Sequence, residues 1–126
     1  MSQLKYLLDS TLIIDHFNDI PKATQWIKNA HPKEVAVSSI SIAEVLTGFA
    51  QDDWQQVEIF FQQFTVLNLD YSVSLTAARL RQIYHFKLPD AFQAALAVNH
   101  GIILITRNSK DFQSKKHQFV KIPYTL

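Results

Sequence analysis

Asp9, Glu44, Asp90, Asn108 and Asp111 each fall where an apolar run gives way to a helical pattern or a turn. Alone, each has an ordinary explanation. Asp9 caps a helix, Glu44 closes a capping box with Ser41 (Ser-x-x-Glu), and Asp90 is a favourable charge at a positive helix end. Asp111 suits a solvated turn. Together they imply a different chemistry. Carboxylates brought within a few ångströms repel one another, and some take up protons unless a cation neutralises them. A donor set made only of oxygen suits a hard ion, Mg²⁺ or Mn²⁺. Zinc is disfavoured: the chain has no cysteine, and His16, His31, His85, His100 and His117 are scattered.

Convergence requires elements that carry these residues to one edge. Leu4 to Leu8 is an apolar run that reads as a buried parallel strand ending at Asp9. Glu34 to Ser38 reads as a second strand, and a helix capped by Ser39 or Ser41 follows it and carries Glu44. Thr65 to Leu69 is a third strand closed by Asp70. Leu88-Pro89-Asp90 opens an alanine-rich helix that Gly101 stops. Ile102 to Ile105 is a fully apolar strand with Thr106-Arg107-Asn108 at its end, followed by a helical turn around Asp111-Phe112 and a last strand, Val120 to Ile122. Strands alternating with helices argue a parallel sheet covered on both faces. In such sheets ligands sit beyond the carboxyl ends of the strands, where the helices begin. A further helix, Trp54 to Phe64, carries the stripe Trp54, Val57, Phe60, Phe61 and Phe64.

The totals limit the possibilities. The 126 residues suit one domain, 1–126, without linker or repeat. The absence of cysteine excludes a disulfide framework and fits a reducing compartment. No apolar stretch approaches the roughly 20 residues that span a bilayer, and no signal peptide is evident. The expectation is a soluble cytoplasmic protein with no membrane partner. Net charge is +1, but it is unevenly spread. Glu34 to Ala78 contains six acids and no Lys or Arg, whereas Arg79 to the end contains eight basic residues against Asp90 and Asp111. The C-terminal third therefore offers a basic face to a polyanion.

Four stretches carry a resemblance: Tyr6-Leu7-Leu8-Asp9-Ser10, Ser41-Ile42-Ala43-Glu44-Val45, the run from Leu88 to Ala97, and the run from Leu104 to Phe112. In this order they resemble the PIN-domain ribonucleases, most closely the VapC-like toxins of type II toxin–antitoxin pairs. The resemblance implies an α/β fold, a three-layer α/β/α sandwich around a central parallel sheet of four to five strands. It implies a Mg²⁺-dependent endoribonuclease, with Mn²⁺ as an alternative ion, that hydrolyses RNA through metal-activated water and leaves a 5′-phosphate and a 3′-hydroxyl. Asp9, Glu44 and Asp90 then match the metal-binding acids. Many relatives carry a fourth acid two residues after the threonine of the last motif. Here that position is Asn108, which offers an oxygen without charge, and Asp111 is the group that could compensate. Thr106, Ser10 and Thr11 are accessory groups. The acids repel the backbone they cut, so cations outside the site must hold the RNA. The pool is Arg79, Arg81, Lys87, Arg107, Lys110, Lys115 and Lys116.

The resemblance also implies a cognate antitoxin and either a homodimer or a hetero-oligomer with that partner. Two features could receive it: the aromatic segment Trp54 to Phe64 as a groove for an amphipathic helix, and the acidic pocket as a seat for an arginine. Two other readings compete. One is a phospho-accepting receiver module of the CheY type using Asp9, Asp70 and Thr106; it lacks the adjacent acid pair, because Ser10 follows Asp9, and has no evident lysine unless Lys121 serves. The other is a PIN-like fold that only binds a partner, with Asn108 marking lost activity.

Overall fold

The computed structural model describes residues 3–126. Its centre is β1 (Tyr6–Leu8), flanked on one side by β2 (Val35–Ser38) and β3 (Thr65–Leu67) and on the other by β4 (Ile103–Ile105) and β5 (Val120–Lys121). All four pairings are parallel, so every strand ends at the same edge. Strand periodicity sorts the core. Leu7, Ala36 and Leu104 point to one face, while Leu8, Val35, Val37 and Ile105 point to the other.

The first face is covered by α5 (Tyr71–Tyr84) and α6 (Leu88–His100). Ala91, Ala94, Ala95 and Ala97 are all completely buried, and their small side chains let α6 lie close on the sheet. Gly101, at φ 64°, ends that helix in the left-handed conformation that glycine adopts without a Cβ penalty. The second face is covered by α1 (Ser10–Phe17), α2 (Pro21–Asn29), α3 (Ser39–Thr47) and α4 (Trp54–Phe61). The outcome is a sheet between two helical layers, as expected from the alternation.

Several local expectations change. Ser38, the last residue of β2, caps α3 by accepting from the Ser41 backbone N–H at 3.0 Å. Ser41 therefore lies inside the helix, the capping box does not form, and Glu44 is released from a capping role. The helical turn expected around Asp111-Phe112 does form, as a single turn. Phe112 N–H bonds to the Asn108 carbonyl at 3.1 Å and the chain then leaves the helical path, while the Phe112 ring is wholly buried in the α5–α6 face. The aromatic stripe of α4 is core: Val57, Phe60, Phe61 and Phe64 are buried, and the Trp54 indole donates to the carbonyls of Leu46 and Phe49. The groove expected there for a partner helix is filled by the chain's own layer. Asp70 caps α5, accepting from Val73 N–H at 2.9 Å at the end of edge strand β3. It lies two strands away from Asp9, so the acid pair of a receiver module is not assembled.

Candidate active site

Asp9 follows the central strand, and its backbone N–H bonds to the Ile105 carbonyl at 2.9 Å. It does cap α1, but its carboxylate does much more. One oxygen accepts from the hydroxyls of Thr11 at 2.8 Å and Thr106 at 2.9 Å, and the other accepts from the Gln93 amide at 2.9 Å. The group is only 5% exposed and is held from three separate elements. Thr11 and Thr106, expected as accessory groups, gather around it, and the Thr11 hydroxyl also accepts from the Arg107 backbone N–H at 3.1 Å. Ser10, also expected, is buried and acts on Glu44 instead, favouring its ionised form.

Glu44 reaches the same edge from α3, and Asp90 from the first turn of α6. Burial of the carboxyl ends and mutual repulsion hold both above the usual carboxylate range. For Glu44 the causes are burial and then Asp9, opposed by the bond from Ser10. Asp90 is pushed up to about 6 by burial, then by Asp111, Asp9 and Glu44, against the opposing charge of Lys87. Among these charges Asp111 acts most strongly on Asp90. Asn108 commits both ends of its amide to that acid: its oxygen accepts from Asp111 N–H at 3.1 Å and its nitrogen donates to the Asp111 carboxylate at 2.9 Å. Four carboxylates from four segments thus share one electrostatic neighbourhood. Among the described residues no three His, Asp or Glu side chains are packed closely enough to enclose an ion by themselves. Mg²⁺ does not require that, since it retains several waters and is held by one or two carboxylates. The donor chemistry and the unrelieved repulsion fit such an ion.

Three residues were not anticipated from the sequence. Gln93 is 1% exposed on the otherwise apolar buried face of α6, donates to both Asp9 and the Ser41 hydroxyl, and leaves its own amide oxygen unpaired. A lone amide among buried alanines was the available signal. Asp15, 4% exposed, takes Arg107 Nη2 at 3.0 Å, Arg107 Nε, and the Tyr124 hydroxyl at 2.7 Å. An acid one turn beyond Thr11 on α1 was a faint signal for Asp15; Tyr124 had none. Arg107, expected to hold RNA, is therefore committed to a bond inside the protein. Of the remaining cations, Lys87, Lys110 and Lys116 line one groove. Arg81 donates to the Phe86 carbonyl at 3.1 Å, and Arg79 and Lys115 are exposed elsewhere on the surface.

The sequence pattern of the PIN domain matches residues 6–117. Among solved structures, a toxin–antitoxin complex from Klebsiella pneumoniae is 32% identical, covering 97% of this chain and 100% of that one at a TM-score of 0.89. DNA-bound VapBC from Salmonella typhimurium is 20% identical, covering 96% and 99%, at a TM-score of 0.82. VapBC-1 from nontypeable Haemophilus influenzae is also 20% identical, covering 95% and 98%, at 0.75. No curated protein matches. Among the described residues no helix is long and apolar enough to cross a membrane.

Proposed function

This chain belongs to the PIN domain family, and on that premise we propose that it is a divalent-metal-dependent endoribonuclease acting as the toxin of a toxin–antitoxin pair. The observation that carries the reading is the convergence of Asp9, Glu44, Asp90 and Asp111, with Asp90 pushed up to about 6 by its neighbours. A site built to hold so much unrelieved negative charge is built for a cation. Asp9, Glu44 and Asp90 are the residues that would hold it. Asp111 is the fourth acid, and Asn108 positions it. An Mg²⁺ ion there supplies charge that offsets the carboxylates and polarises a phosphoryl oxygen.

The chain's own residues prepare that site. Thr11, Thr106 and Gln93 fix Asp9 in one orientation. A cation held there would keep the half-buried Asp90 in its ionised form. The direct test is cleavage of purified RNA with Mg²⁺ or Mn²⁺ against an EDTA control, with the new ends typed. Absence of metal-dependent cleavage sinks the reading.

Gln93 supplies a more selective check. Gln93→Leu removes a donor from Asp9 and also the unpaired amide oxygen, so melting in EDTA should change little, because the two effects offset. Metal affinity should fall by about 10-fold, as is usual when a group orienting a ligand is lost. Calorimetric titration with Mn²⁺ measures it; unchanged affinity would show that Gln93 does not orient a ligand.

The partner reading draws on the toxin–antitoxin complexes among the similar structures. With the α4 stripe buried, the acid pocket is the remaining one of the two expected seats. We expect a small protein with a basic C-terminal part whose arginine pairs with these carboxylates and displaces the cation. The purified hetero-oligomer should cleave RNA more slowly and bind Mn²⁺ more weakly than the free chain. A partner that binds without changing either quantity rules out occlusion of the site.

A further inference from the structure

The turn joining α5 to α6 and the loop joining β4 to β5 enclose a groove of about 300 Å³, at the small end of ligand-site sizes. Three cations line it, Lys87 from the turn and Lys110 and Lys116 from the loop, against one acid, Asp111. Among the described residues none of these lysines enters a salt bridge. Asp111 joins the groove to the acid site, because it also acts on Asp90.

The wall of the groove is aromatic. The Tyr84 ring, 44% exposed, stands edge-on to His117 with ring centroids 4.7 Å apart. His117 is only 5% exposed, and its Nδ1 has no hydrogen-bond partner among the described residues. Burial and the neighbouring Lys116 lower its pKa, which keeps the ring neutral. A neutral imidazole has one donor and one acceptor, and a buried one without a partner is costly. His85 also borders the groove and holds φ 61°, a left-handed conformation that residues other than glycine seldom adopt and that clusters at functional sites.

We propose that this groove is a nucleotide subsite, in which the three lysines hold the RNA phosphate next to the one cleaved and the base lies against Tyr84. The proposal rests on the nuclease reading above. Its physical logic is the strand's charge. The four acids repel the backbone at the cut, and this lysine groove, which shares Asp111 with them, reverses that repulsion. The exposed Tyr84 ring offers stacking to any base. An acidic peptide would also be attracted to the lysines, but it has no use for the aromatic wall.

The test is fluorescence anisotropy of a labelled oligoribonucleotide of about ten residues, measured in EDTA across a salt series so that binding is read without cleavage. Lys87→Ala/Lys110→Ala/Lys116→Ala should weaken binding at least 10-fold and flatten the salt slope by about 0.7 for each phosphate no longer neutralised. Tyr84→Leu should weaken binding several-fold with the slope unchanged, the mark of weakened stacking. Lys28→Ala/Lys33→Ala, exposed on another part of the surface, should change neither. If the triple variant keeps the parent's affinity and slope while the parent cleaves RNA with Mn²⁺, the subsite is wrong and the nuclease reading stands. If the triple variant keeps RNA affinity but loses binding to a polyglutamate peptide, the groove docks protein and the proposal is overturned. If the parent neither binds nor cleaves RNA, both fall.

Discussion

Asp90→Asn should abolish RNA cleavage and raise the melting temperature of the metal-free protein. Loss of a negative group from a site organised around charge typically costs about 10²–10³-fold in rate. The stability gain has the opposite origin. In the folded chain Asp90 titrates at about 6, against an ordinary value of 3.8. Between those values the native state holds a proton that the unfolded state has lost, so stability falls as pH rises through this window. A shift of roughly two units would be worth about 3 kcal/mol in a dry site; half-exposed and screened, it is worth about 1–2 kcal/mol. Asparagine carries no charge to repel. The variant should therefore melt several degrees higher than the parent at pH 7 in EDTA, and the difference should vanish near pH 4. Full activity would refute the assignment of Asp90, and equal melting at every pH would refute the repulsion. Asp9→Asn should lose activity equally but gain no stability. Asp9 accepts on both oxygens, and an amide nitrogen would confront the donors of Gln93 or the threonines. A loss of about 1–2 kcal/mol is expected.

Asp15→Ala should be among the most destabilising single changes away from the acids. It removes the buried acceptor for Arg107 and Tyr124, and it leaves a guanidinium and a phenol without their partner. Breaking a buried pair this way costs about 3–5 kcal/mol; with the Arg107 side chain 32% exposed, about 2–4 kcal/mol is the appropriate range. For a chain of this size that is a fall of roughly 10 °C in melting temperature. The same carboxylate holds the Arg107 guanidinium high, and burial, then the bond to Asp15, pushes the Tyr124 phenol up. Activity should fall further than stability alone dictates, because Arg107 leads into the loop that carries Asn108 and Asp111. A double-mutant cycle with Arg107→Ala isolates the coupling. Additivity of the two changes would show that the pair is incidental.

The separation between what is written locally and what is not follows contact distance along the chain. The central strand with Asp9 at its end, the alanine-rich helix opened by Leu88-Pro89-Asp90 and stopped by Gly101, and the parallel alternation were all legible in the sequence. Each depends on periodicity and end signals within a dozen residues. The convergence of Asp9, Glu44 and Asp90 was also legible, because parallel strands end at one edge and helices begin there. The capping box failed because Ser38 and Ser41 compete for one helix start, and only the length of β2 decides between them. The α4 aromatics have the same spacing whether they face the sheet or a partner, so burial had to be observed. Gln93 meets Asp9 across 84 positions, Arg107 meets Asp15 across 92, and Tyr124 reaches Asp15 across 109. No local pattern encodes such pairs. They exist because β1 lies between β2 and β4, which lays α6, the loop after β4 and the C-terminal segment around one carboxyl edge.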